Sequence, residues 1–126
     1  MARAIPNARQ RAAALTDLAV QVAIGPGDFA EAERIANSVT YEDQVVQNGR
    51  DFSVRILAEQ VVAVNAREAE RIALTIRTDH ERDLAFANMA RTLATTDKHT
   101  AKRLLGHIDM IPLKENMLAD LAKGRL

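Results

Sequence analysis

The chain has 126 residues, 48% of them apolar and 27% charged, with 17 basic residues, 17 acidic residues, three histidines and no cysteine. This is the length of one domain with enough apolar content for a buried core. The absent cysteine excludes disulfides, thiol nucleophiles and Cys-ligated zinc, and a formal net charge of zero argues against nucleic acid or an anionic membrane held by bulk electrostatics.

No stretch approaches the roughly 18 apolar residues of a membrane span. Residues 1–11 carry Arg3, Arg9 and Arg11 without the apolar stretch of a secretory signal, so a cytoplasmic location is expected. The 23 alanines favour helix, and four aromatics and five glycines speak against a β-rich fold.

Leu15, Leu18, Ala19 and Val22 stand at i, i+3, i+4 and i+7, the apolar stripe of a helix predicted over 8–24. Gly25-Pro26-Gly27 ends it. Asp28 with Glu31 is a capping-box pair opening a helix over 29–39, whose stripe is Ala32, Ile35, Ala36 and Val39. The link from Val39 to the next stripe at Val54 is longer, by about one and a half helical turns, than the later links from Ile76 to Phe86 and from Ile108 to Leu118. Tyr41 to Gln47 either forms a short extra helix or prolongs the one before it. Tyr41, Val45, Val46 and Phe52 are expected to cover neighbouring helices.

Asn48-Gly49 is a turn dipeptide. Val54, Leu57, Ala58 and Val61 then predict a helix over 52–64. Asn65 with Glu68 caps a helix over 66–77, with Ala69, Ile72, Ala73 and Ile76 as its stripe. Thr78 with Glu81 does the same for 80–95, with Phe86, Met89, Ala90 and Leu93. Thr96 and Asp97 precede a helix over 98–108 carrying Ala101, Leu104, Leu105 and Ile108. Pro112 suits the first turn of a last helix over 112–123, whose stripe of Leu118, Leu121 and Ala122 breaks at Arg125.

The stripes recur. Ala19, Ala58, Ala90 and Ala122 hold the same place in successive first stripes, at steps of 39, 32 and 32. The intervening stripes are offset by 37 and 32, with Ala-Glu-Arg-Ile-Ala at both 32–36 and 69–73. Such a period predicts stacked helical hairpins. The expected fold is all-α: one domain over 1–126, a right-handed α–α solenoid of about three hairpins (8–39, 52–77, 80–108) closed by a capping helix.

From Ala12 to Ala122 the chain resembles tetratricopeptide repeats. The first helix of each pair carries the apolar quartet, the second supplies small residues for close approach, and Pro112 falls where a proline often closes a unit. The regular spacing of 32 is short of that family's usual 34, and its consensus tryptophan, glycine and tyrosine are absent. The alanine- and arginine-rich strings are also similar to those of repeat proteins from high-GC bacteria, and 13 of the 17 basic residues are arginine. The resemblance implies a scaffold for protein contacts with no catalytic residue to carry over.

Chemistry is sparse. His99 and His107 stand eight positions apart, about 12 Å of helix rise, too far for one metal ion. Asp79-His80-Glu81 reads as a polar first turn. In Gly25-Pro26-Gly27-Asp28 the proline removes a donor and the aspartate repels phosphate. No metal or cofactor is therefore expected. The mixed charges of Glu68, Glu70 and Arg71, and of Asp79, Glu81, Arg82 and Asp83, read as solvated helix faces.

What remains is a groove lined by the first helices. The stripe phase directs Thr16, Val20 and Ala23 into it, then Arg55, Glu59 and Val62, then Ala87, Arg91 and Ala94, then Lys123. Arg55 and Arg91 are placed to hold a carboxylate of a partner peptide, against the plainer reading in which they are solvated or pair with Glu59. The expected function is a non-catalytic module binding a protein or peptide of unstated identity. Two alternatives stand: an all-α enzyme using His80 or His107 with nearby acids, and a unit that self-assembles through Ile5 and the tail from Met117 to Leu126.

Overall fold

The computed structural model describes residues 4–39 and 49–126, which form seven α-helices and no strand. They are α1 (Ala4–Ile24), α2 (Phe29–Asn37), α3 (Gly49–Val61), α4 (Ala66–Ala73), α5 (Asp79–Leu93), α6 (Lys98–Leu105) and α7 (Ile111–Ala122). The all-α class stands, and each helix overlaps its predicted range. The reading of Tyr41 to Gln47 lies outside the described residues, as does the side chain of Ile5. α3 begins before the predicted boundary: Gly49 is a buried residue of its first turn rather than part of a turn. Gly27, with φ of 75°, takes the left-handed backbone at the end of the Gly-Pro-Gly turn.

α1 packs on α2, α3 on α4, and α5 on α6; first helices also meet in sequence, α1 with α3 and α3 with α5. α7 packs against α6. The second and third first-helix stripes are buried throughout, as are all three second-helix stripes. They fuse into one core running through the hairpins. Ala58, Ala73, Ala90 and Ala101 are fully buried where helices approach, because a methyl group is all the gap accommodates.

The stripes at the two ends differ. Leu18 is 46% exposed, with Leu15 and Val22 half-buried. In α7, Leu121 is buried, Leu118 half-buried and Ala122 exposed. The buried stripes lie on the helices with most company: α3 packs against α1, α2, α4 and α5, and α5 against α3, α4 and α6, whereas α1 packs mainly against α2 and α3 and α7 mainly against α6.

The alanine seams make a direct prediction. Ala58→Leu forces extra volume into a filled gap and destabilises by about 1–3 kcal/mol. Ala63→Leu, at an exposed position, shifts stability by less than about 0.5 kcal/mol. Urea unfolding midpoints compare the two, and equal midpoints refute the close-packed seam.

Candidate functional site

The helix starts follow two rules. Second helices cap themselves: Asp28 accepts from the Glu31 N–H at 3.1 Å, Asn65 from Glu68 at 3.1 Å, and Asp97 from Thr100 at 3.0 Å. These are the N-caps predicted from sequence, but the two capping boxes are only half made: the Asp28 and Asn65 N–H groups donate to the Val22 and Val61 carbonyls, and the Glu31 and Glu68 carboxylates turn instead to Arg34 and Arg71. The first helices α5 and α7 do not cap themselves, since neither Thr78 nor Met110 makes a side-chain cap bond.

Their caps come from the preceding first helix. Asp51 of α3 accepts from the backbone N–H of Arg77 at 3.3 Å and Thr78 at 2.9 Å, and from the Thr78 hydroxyl at 2.7 Å. Asp83 of α5 accepts from the backbone N–H of Asp109 at 3.0 Å and Met110 at 3.2 Å. Acceptor and donors advance by the same step, from Asp51 to Asp83 and from Thr78 to Met110. Asp51 and Asp83 are 3% and 4% exposed, so the solvated face expected around Asp83 is instead a seam. The predicted Thr78–Glu81 capping box is likewise replaced, because the Thr78 hydroxyl donates to Asp51. Burial opposes the charge on Asp51, but the Thr78 hydroxyl, the Thr78 and Arg77 amides and the neighbouring Arg50 guanidinium together hold its carboxyl below the ordinary value. Arg50 pairs with Asp51 and also donates to the Thr75 carbonyl at 3.1 Å.

A second row of contacts joins the second helices. Arg71 of α4 meets Glu33 of α2 at 2.8 Å, and Arg103 of α6 meets Glu70 of α4 at 2.9 Å. His107 adds a 2.6 Å contact to Glu70 and stacks on Phe86, with ring centroids 4.6 Å apart. Burial opposes ionisation of Glu70, but bonds from His107 and Arg103 hold its carboxyl low. His107 thus sits between a carboxylate and an aromatic ring, whereas His80 and His99 are exposed. No group of three or more His, Asp or Glu side chains able to hold a metal occurs among the described residues.

The groove residues divide into two sets. Thr16, Val62 and Ala87 are 7%, 1% and 2% exposed, and Ala23 and Ala94 are also buried. Thr16 shares a 2.7 Å hydrogen bond with Ser53 across α1 and α3. Arg55 is half-buried: its guanidinium donates to Glu81 at 2.6 Å and Glu59 at 2.8 Å and lies 5.2 Å from the Phe52 ring. These positions form the seam between successive first helices and offer no open surface.

Val20, Glu59, Arg91 and Lys123 lie one register step further round. Glu59 also accepts from Asn88 at 2.9 Å, and Asn88 accepts from Arg91 at 2.8 Å. Arg91 and Lys123 are exposed and form no ion pair among the described residues. The same arc of α3 and α5 carries Phe52, 40% exposed, with Ile56 and Leu84 half-buried. The sequence pointer to the buried caps is the Arg-Asp dipeptide, at 50–51 and again at 82–83.

Asp51→Ala orphans donors at the start of α5 and destabilises by about 1–3 kcal/mol at neutral pH. Because its carboxyl titrates lower in the folded state, this contribution is complete above the unfolded value of about 3.9 and fades as pH falls through the folded value. Denaturant midpoints of wild type and variant, taken from pH 7 to pH 3, therefore converge in acid. A loss no larger than that of exposed Asp17→Ala refutes the cap.

No protein-family model, no curated protein and no solved structure matches this chain.

Proposed function

We propose that the chain is a right-handed solenoid of hairpins resembling tetratricopeptide repeats, and that it works as a non-catalytic module binding a protein or peptide segment on the outward face of its first helices. The observation that carries the reading is the recurrence of both cross-hairpin contacts. The Asp51 and Asp83 caps repeat at one spacing, and the Glu33–Arg71 and Glu70–Arg103 pairs repeat in the same order. Contacts that return in register support hairpins that dock on one another in a similar way, the condition for an extended array.

The outward arc supports the choice of surface. Phe52, Ile56 and Leu84 supply apolar area, Arg91 a cation without a carboxylate, and Lys123 a second cation at the equivalent position one repeat on. Such a strip suits an amphipathic helix or extended segment with an acidic end. Arg55 is not part of it, since Glu59 and Glu81 already satisfy its guanidinium.

The test is affinity capture from lysate of the source organism with wild type and a Phe52→Ser/Arg91→Glu double variant, read by mass spectrometry. A protein retained by wild type is expected to be depleted at least about ten-fold on the variant, whose unfolding midpoint stays near that of wild type. A set of captured proteins unchanged by the substitutions overturns the surface assignment.

A further inference from the structure

Charge is divided unevenly along this neutral chain. All four lysines, Lys98, Lys102, Lys114 and Lys123, fall within 98–126, a segment that holds six of the 17 basic residues but only three of the 17 acidic ones. Earlier in the chain, Arg34, Arg50, Arg55, Arg71 and Arg82 are each ion-paired. Within 98–126, Arg103 is paired with Glu70 and the four lysines form no ion pair among the described residues.

The repeat register says which way this excess faces. Glu33 on α2 holds Arg71 on α4, and Glu70 on α4 holds Arg103 on α6. The step that carries Arg71 to Arg103 carries Glu70 to Lys102. The side of α6 turned away from α4 thus carries a cation where the two earlier second helices carry an acid. Lys98, one turn before it, shares that face, and both are exposed. Beside it on α7, Leu118 is half-buried and Ala122 exposed. They stand at the register of Val54 and Ala58 in α3 and of Phe86 and Ala90 in α5, which are fully buried.

We propose that this end of the molecule docks a single helix of a different protein, apolar along the edge that meets Leu118 and Ala122 and acidic along the edge that meets Lys98 and Lys102. Charge complementarity selects this occupant over a second copy of the chain. The residue of α2 at the register of Arg71 and Arg103 is Arg34, so a copy docked through its own α2 brings one cation against another. The site is separate from the first-helix face and does not depend on the function proposed for that face.

The experiment uses the full chain and fluorescence anisotropy. The probe is a labelled synthetic helix of about 18 residues with Leu and Ala at i, i+3, i+4 and i+7 and Glu at the flanking positions. A second probe has Lys in place of Glu, and a third is a single-stranded oligonucleotide. The Glu probe is expected to bind, to weaken with added salt, and to lose at least about ten-fold in affinity against Lys98→Glu/Lys102→Glu. Arg67→Glu, which alters an exposed cation on α4, and Phe52→Ser/Arg91→Glu leave binding unchanged. Circular dichroism confirms that each variant keeps its helix content.

Any of four probe results overturns the proposal: no binding of the Glu probe, equal binding of the Lys probe, indifference to the lysine substitutions, or tighter binding of the oligonucleotide through the same lysines. A concentration-dependent dimer of wild type that Lys102→Glu alters assigns the face to self-association instead and equally overturns it.

Discussion

A buried carboxylate that accepts the amides at the mouth of the next first helix is the interaction on which the arrangement of hairpins depends. A helix start leaves backbone N–H groups without partners, and burying an aspartate is costly unless several donors meet it. Asp51 and Asp83 settle both problems at once. Thr78 and Met110 give α5 and α7 no caps of their own, so each helix takes its cap from the aspartate of the first helix before it. Second helices, with Asp28, Asn65 and Asp97, begin without outside help. Second helices therefore complete their own starts, while the starts of α5 and α7 are completed by the first helix before them.

The two rows of cross-hairpin contacts differ in kind. In the first-helix row the polar groups are buried or half-buried: Thr16 with Ser53, and Asp51 with the half-buried Thr78. Exchanging or truncating a partner there leaves an unsatisfied group in a dry place. The second-helix row uses the ion pairs of Arg71 and Arg103, both exposed at the surface. Exposed pairs contribute little energy but resist like-charge mismatches. The first row thus holds the hairpins together, while the second selects which helix lies beside which. That division is why an unanswered cation such as Lys102 carries information about a neighbour.

Much of this was readable in the sequence. The i, i+3, i+4, i+7 stripes mark the helices, and polar residues just before them mark the N-caps of second helices, because both signals are local. Stripe phase alone misplaces part of the groove. A first helix flanked by two others buries an arc wider than its apolar stripe, so Val62 and Ala87, beside the stripe, enter the seam with Thr16. Arg55 is drawn in with them because Glu81 from the next helix meets it. Stripe periodicity measures one helix against one partner and carries no trace of the second. The alternation of acids and arginines in Asp79, Glu81, Arg82 and Asp83 resembles a solvated face for the same reason: the amides that Asp83 satisfies belong to Asp109 and Met110, at the start of another helix.

Composition, spacing and turn residues by themselves determined that the chain is helical, the approximate range of each helix, and apolar stripes that recur at steps of 39, 32 and 32. These follow from backbone propensity and a helical period acting over a few turns. Tertiary structure decided which polar residues are buried, which cations are already answered, and which arc of each first helix stays open. Those outcomes depend on side chains that lie a whole repeat apart along the chain, as Asp51 and Thr78 or Glu33 and Arg71 do. Only the docking of one hairpin on the next brings them within hydrogen-bond distance.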